Sequence, residues 1–167
     1  FLAIALVAGI SVSCVRTNLD DSGSAQQDVA RTWDAARVFL PSADGSVRRR
    51  PISMAILQDH MAKQEALLPV AIHMHGCSGF WQGTNRRGSY LASLGFIVIA
   101  PNSFARNNKP QSCDPVTQQG GFHRGTLALR HAEAAHAIAR VRALSWVNKE
   151  KMVLIGHSEG AIATATL

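Results

Sequence analysis

The chain has 167 residues, a length for one domain and hardly two. Apolar residues make up 47% and charged residues 17%, which excludes a disordered or fibrous chain. The formal net charge is +6, but the basic residues are scattered. Arg48, Arg49 and Arg50 share a turn, Arg86 and Arg87 lie elsewhere, and others follow one helix with no aromatic-flanked basic stripe. The excess reads as a solvated surface, not a nucleic-acid footprint.

The chain begins with Phe1 and ends at Leu167 inside an apolar stretch. Both ends read as cut, so a fragment of a longer protein is expected. Phe1 to Val15 carries no charge. At roughly 15 residues it is short for a membrane span, which needs about 20. Ser11-Val12-Ser13 sets small residues before Cys14. Residues 1–14 therefore read as the apolar part of an export signal, which implies a periplasmic or secreted protein. Cys14 leaves a lipoprotein anchor open, although Ser11 stands where lipoproteins usually carry leucine. A buried N-terminal helix is the competing reading. Export would leave Cys77 and Cys113 as an even pair in an oxidising compartment, which favours a disulfide; in a cytosolic chain they would be free buried thiols. Arg16 to about Gln27 is polar and Gly-containing, so residues 15–30 read as a linker ahead of one domain over 31–167.

From there strands alternate with helices. Arg37 to Leu40 is a short strand, Pro41 to Gly45 a turn with an Asp-Gly hairpin signal, and Ile52 to Leu57 a second strand antiparallel to the first. Asp59 to Leu68 reads as a helical connector, and Pro69 to His75 (PVAIHMH) as a buried strand. Thr84 to Leu94 reads as a helix, with Thr84 as its N-cap and Gly95 as its stop. Phe96 to Ala100 (FIVIA) has the pattern of a central parallel strand, stopped by Pro101.

Asn102 to Gly121 is a long polar loop, a length uncommon without a function. His123 to Val147 reads as a long helix, with Leu127, Arg130, Ala134, Ile138 and Val141 along one face. Lys151 to Ile155 is the next strand, and Gly160 starts a small-residue helix. Helical crossovers between strands imply parallel pairing, hence an α/β fold: a mostly parallel sheet flanked by helices.

Gly156-His157-Ser158-Glu159-Gly160 carries the chemistry. A G-x-S-x-G between a strand and a helix is the context of a nucleophile elbow. The sharp turn strains the serine, so close neighbours must be glycine, and the helix N-terminus favours developing negative charge. Ser158 is the candidate nucleophile. His75-Gly76-Cys77-Ser78-Gly79 follows the strand PVAIHMH. An oxyanion hole needs two backbone N–H donors: one follows the nucleophile, here Glu159, and one follows an earlier strand, here Cys77. A glycine turn entering a helix remains the alternative for that loop. His157, beside Ser158 in the turn, reads as a packing residue whose side chain points away from the serine. The remaining histidines lack metal-ligand spacing, so no metal site and no organic cofactor is expected.

HMHGCSG, GFIVIAPNSFAR and LIGHSEGA occur in the order and spacing of an α/β-hydrolase, over about Arg37 to Leu167. The chain resembles the dienelactone hydrolase-like family of that superfamily, truncated after the elbow. GFIVIAPNSFAR points to the family, which often shows G-[YF]-x-V-x-x-P-D-x-[YF]-x-R. Two departures stand out. Namesake enzymes use a cysteine nucleophile where this chain has Ser158, and Asn102 stands at the usual Asp. The resemblance implies a serine hydrolase of carboxylic esters or lactones working through an acyl-enzyme on a small-molecule substrate. Arg106 matches the family arginine that holds a substrate carboxylate, with a loop-bracing role as its alternative. In that fold Cys77 and Cys113 belong to one sheet edge, where a disulfide would tie the long loop beside the active site. The family order puts the triad acid and histidine after the nucleophile, beyond Leu167, so the chain alone is expected to be inactive. A serine peptidase or acyltransferase on the same scaffold, or a non-catalytic envelope binding protein of that fold, are the alternatives.

Overall fold

The computed structural model describes residues 19–41, 50–107, 109, 112–114, 116–117, 119–120 and 124–167. The export segment 1–14, Cys14, the Asp-Gly turn and the Arg48-Arg49 pair lie outside these.

The chain is α/β. Its elements run α1 (Leu19–Asp34), β1 (Arg37–Phe39), α2 (Met54–Met61), β2 (Leu68–Met74), α3 (Gln82–Ser93), β3 (Ile97–Ala100), a 3-10 turn (Ser103–Ala105), α4 (Arg124–Arg142), β4 (Val147–Gly156) and α5 (Glu159–Ala165). The four-stranded sheet has the order β1-β3-β2-β4. β3 and β4 both pair parallel with β2, and β1 pairs antiparallel with β3.

Strand alternation sorts side chains to two faces. Val38, Val70, Ile72, Met74, Ile97 and Ile99 join the larger core with Trp33, Leu57, Ala134, Ala137 and Val141 from the helices. Phe39, Ala71 and Val98 face the other way, with Ala92 of α3. The central strands β2 and β3 are apolar in their buried stretches except for His73, because both faces are covered.

Several local expectations differ: among them, the connector expected as a helix over Asp59 to Leu68 is helical earlier, at Met54–Met61, and the helix expected to reach Val147 ends at Arg142. The segment read as a linker is helical from Leu19, because Val29, Thr32, Trp33 and Ala36 recur at helical spacing and are buried. The second strand shrinks to one antiparallel bridge, Val38 with Ile52. Ser53 then caps α2, its hydroxyl accepting from the Ile56 N–H at 3.3 Å. Met54, Leu57 and Met61 supply a helical apolar face. Trp81, not Thr84, is the N-cap of α3; Thr84 lies one turn in and accepts the Trp81 N–H at 3.4 Å. β4 begins at Val147, four residues before the expected start, because the polar run Asn148 to Lys151 lies on an outer strand and masks it. Gly95, at φ +91°, ends α3 where expected.

Candidate active site

The turn from β4 into α5 sets Ser158 in an unusual backbone. Ser158 has φ 54° and ψ −124°, the only positive φ among described non-glycine residues. Such a conformation costs about 1–3 kcal/mol and persists only when its surroundings impose it. The surroundings here are two close approaches. A β-carbon on Gly156 would fall inside 3.0 Å of the Gly160 carbonyl, and one on Gly160 inside 3.0 Å of the Met74 and His75 carbonyls. Gly160 N–H donates to the His157 carbonyl at 3.0 Å, and Ala161 N–H to the Ser158 carbonyl at 2.8 Å. Ser158 itself is exposed.

Facing it is the loop after β2. Gly79 adopts φ +75°, and a β-carbon there would meet the Phe104 ring at 2.8 Å. His75 is fully buried beneath the loop, with Phe80 and Phe104 edge-on at 5.1 and 5.7 Å. Its Nδ1 lies 2.7 Å from the Gly76 carbonyl, and its Nε2 accepts the Ser103 N–H at 3.1 Å. Those partners define the Nδ1-protonated neutral tautomer. Burial, then the Arg130 charge, holds the His75 pKa down to about 3.

Ser158, His157, Gly76, Cys77, Trp81 and Asp114 are among the residues lining a cavity of about 600 Å³. Trp81 is half-exposed, its ring 6.0 Å from that of His157 and near the Arg87 guanidinium. Asp114 accepts the Val116 N–H at 2.7 Å, and such backbone bonds lower its pKa. Cys77 and Cys113 form a disulfide, Cα–Cα 5.6 Å, which joins the two loops across the cavity wall. Among the described residues no protein acceptor takes the Cys77 N–H. Glu159 opens α5, so its N–H has no acceptor within that helix.

The Glu159 side chain turns inward. Ser112 donates its hydroxyl to Glu159 Oε2, and Arg130 Nε stands 3.5 Å from Oε1. Arg130 and Glu133 are fully buried on α4. Burial raises the pKa of both Glu159 and Glu133, against the Arg130 charge. Asn102 caps the 3-10 turn by accepting the Phe104 N–H at 3.1 Å.

Arg106 does not line the Ser158 cavity, and its contacts are those of the loop-bracing alternative. Its buried guanidinium reaches Asp28 of α1 at 3.4 Å and the Leu129 carbonyl at 2.9 Å. Asp28 also accepts the Asn107 N–H at 2.8 Å. With those partners Arg106 braces the loop. His157 stacks toward Trp81, its Nδ1 buried without a hydrogen-bond partner. Among the described residues no histidine bonds to the Ser158 hydroxyl, and no group of three His, Cys, Asp or Glu is placed to hold a metal. No described helix is long and apolar enough to cross a membrane.

Nothing in the sequence pattern marks Arg130, Glu133 or Ser112 as part of the site. Arg130 was legible as a member of the inward face of its helix. Its partners His75 and Glu159 were not, because they come from distant segments; Glu133 stands one turn along the same helix. No protein-family model matches the chain, and no curated protein matches it.

Proposed function

We propose that this protein is a serine hydrolase of the α/β-hydrolase fold, related to the dienelactone hydrolase-like group, that cleaves carboxylic esters or lactones. The observation that carries the reading is Ser158, held at φ 54° between a strand and a helix and exposed at the wall of a cavity. A strained, glycine-flanked serine in that place serves no packing purpose. Ser158 Oγ attacks the acyl carbonyl, the Cys77 and Glu159 amides hold the oxyanion, and the alcohol leaves with the proton first taken from Ser158. Water then attacks the acyl-enzyme by the reverse path. The base that takes the Ser158 proton comes from outside the described residues, since no described histidine reaches that hydroxyl. Its chemistry needs neither metal nor organic cofactor. The Cys77–Cys113 disulfide supports export to an oxidising compartment, with Cys14 as the point where a lipid anchor would attach.

The test is covalent labelling of the full-length gene product with a fluorophosphonate, followed by turnover of a panel of acyl esters and lactones. Wild type is expected to label at Ser158 and to turn over esters, and Ser158→Ala to do neither. A wild type that folds but does not label would favour a non-catalytic binding module.

A further inference from the structure

We propose that Arg130 is a positioning residue that sets the separation of the two amides, those of Cys77 and Glu159, which receive the oxyanion. The inference rests on the serine-hydrolase reading above and extends it to a residue outside the cavity. Arg130 Nη2 donates to the His75 carbonyl at 2.6 Å. That carbonyl directly follows β2 and stands two residues before Cys77. Arg130 Nε pairs by charge with Glu159 at 3.5 Å, the residue next to Ser158. Arg130 Nη1 donates to Glu133 at 3.2 Å. Three nitrogens of one planar group therefore address three different segments.

The contacts close into rings. Glu133 accepts the Ser103 hydroxyl at 2.8 Å, and the Ser103 N–H returns to the His75 ring at 3.1 Å. On the other side Glu159 accepts from Ser112, whose neighbour Cys113 is bonded to Cys77. The path Arg130, His75, Cys77, Cys113, Ser112, Glu159 and back to Arg130 thus passes through both amide-bearing residues. A buried ion pair is weak evidence for stability, since apolar replacement is often neutral or better. What this cluster supplies is a fixed geometry between two loops. A lysine does not replace it, because its three N–H donors radiate from one compact nitrogen on a flexible stem, whereas these partners meet three separated nitrogens of a rigid plane.

The experiment uses the full-length gene product and the variants Arg130→Lys, Glu159→Gln and Ser112→Ala. Each is titrated for active Ser158 with a fluorophosphonate, then assayed for kcat and KM on a chromogenic acyl ester. Per titrated site, Arg130→Lys is expected to lower kcat about 100-fold, the loss typical of a misplacement near 1 Å, with KM within about twofold. Glu159→Gln and Ser112→Ala are expected to lower it about tenfold, less than the roughly 100-fold or greater loss when an oxyanion donor is removed outright, because the amides stay and only their placement shifts. A role only in folding would lower the titre and leave kcat per site unchanged, which would overturn the inference. If Arg130→Lys does not fold, the other two variants decide in the same way. Wild type that labels alongside variants with unchanged kcat per site sinks the positioning role alone. Wild type that does not label sinks the hydrolase reading and this inference together.

Discussion

A β-carbon on Gly76 would stand 3.3 Å from the β-carbon of Ser158, and 3.2 Å from the His157 ring. The loop after β2 therefore abuts the nucleophile turn so closely that a methyl group there would make its neighbours give by a few tenths of an ångström. Gly76→Ala is expected to slow fluorophosphonate labelling of Ser158 about tenfold. Its stability cost should stay below about 2 kcal/mol, because the displaced atoms lie at a cavity wall. Unchanged labelling would show that the loop is slack.

The backbone of Ser158 makes a second prediction. Glycine adopts positive φ without strain, whereas alanine does not. Ser158→Gly should therefore be more stable than Ser158→Ala by about 1 kcal/mol, read by denaturant titration. The reverse order would mean that the turn relaxes when the serine is removed.

Glycines differ in what surrounds them. Gly160 lies against the Met74 and His75 carbonyls, whereas nothing lies within 4 Å of a β-carbon on Gly125 in α4. Gly160→Ala should destabilise by at least about 3 kcal/mol, since backbone atoms cannot yield as side chains do. Gly125→Ala should be neutral or stabilise by up to about 1 kcal/mol. Melting temperatures of the two variants check the contrast.

His73 is fully buried on β2 with both ring nitrogens unpaired, and burial, then Arg87 and His157, lowers its pKa from 6.5 to about 4. The unfolded chain takes up this proton near pH 6.5 and the folded chain only near 4. The neutral ring's contribution is complete above pH 6.5 and is lost as pH falls through that window, by about 3 kcal/mol from His73 alone. His75 adds a loss of the same sign toward pH 3. His73→Leu should raise stability at pH 7 by about 1 kcal/mol, because it removes unpaired polar atoms. It should also flatten the decline between pH 6.5 and 4. A decline as steep as that of wild type would exclude His73 as its source.

The disulfide spans a sequence separation of 36 residues. Closing a loop of that length stabilises by about 3–4 kcal/mol through the unfolded chain. The double variant Cys77→Ala with Cys113→Ala should lose about that much in denaturant titration, and its Ser158 should label more slowly. A loss near zero would mean that the loop is held by Ser112 and the turn at Asp114 without the bond.

What the sequence by itself determined was whatever depends on neighbours along the chain. The strand KMVLI, two glycines, a serine and a small-residue helix are contiguous, so the turn around Ser158 was readable, as were the buried run of β2 and the glycine stop of α3. It misjudged Leu19 to Gln27 and Ile52 to Leu57, where a polar stretch and a short apolar run take their state from what packs against them. Only the tertiary structure decided the roles of Arg106 and Arg130. Both are buried arginines near one end of the sheet, yet one braces a loop on Asp28 and the other joins His75 to Glu159. A charge inside a protein is defined by the partners that offset its desolvation. Except for Glu133, one helical turn from Arg130, those partners lie dozens of residues away, at distances that no spacing along the chain encodes.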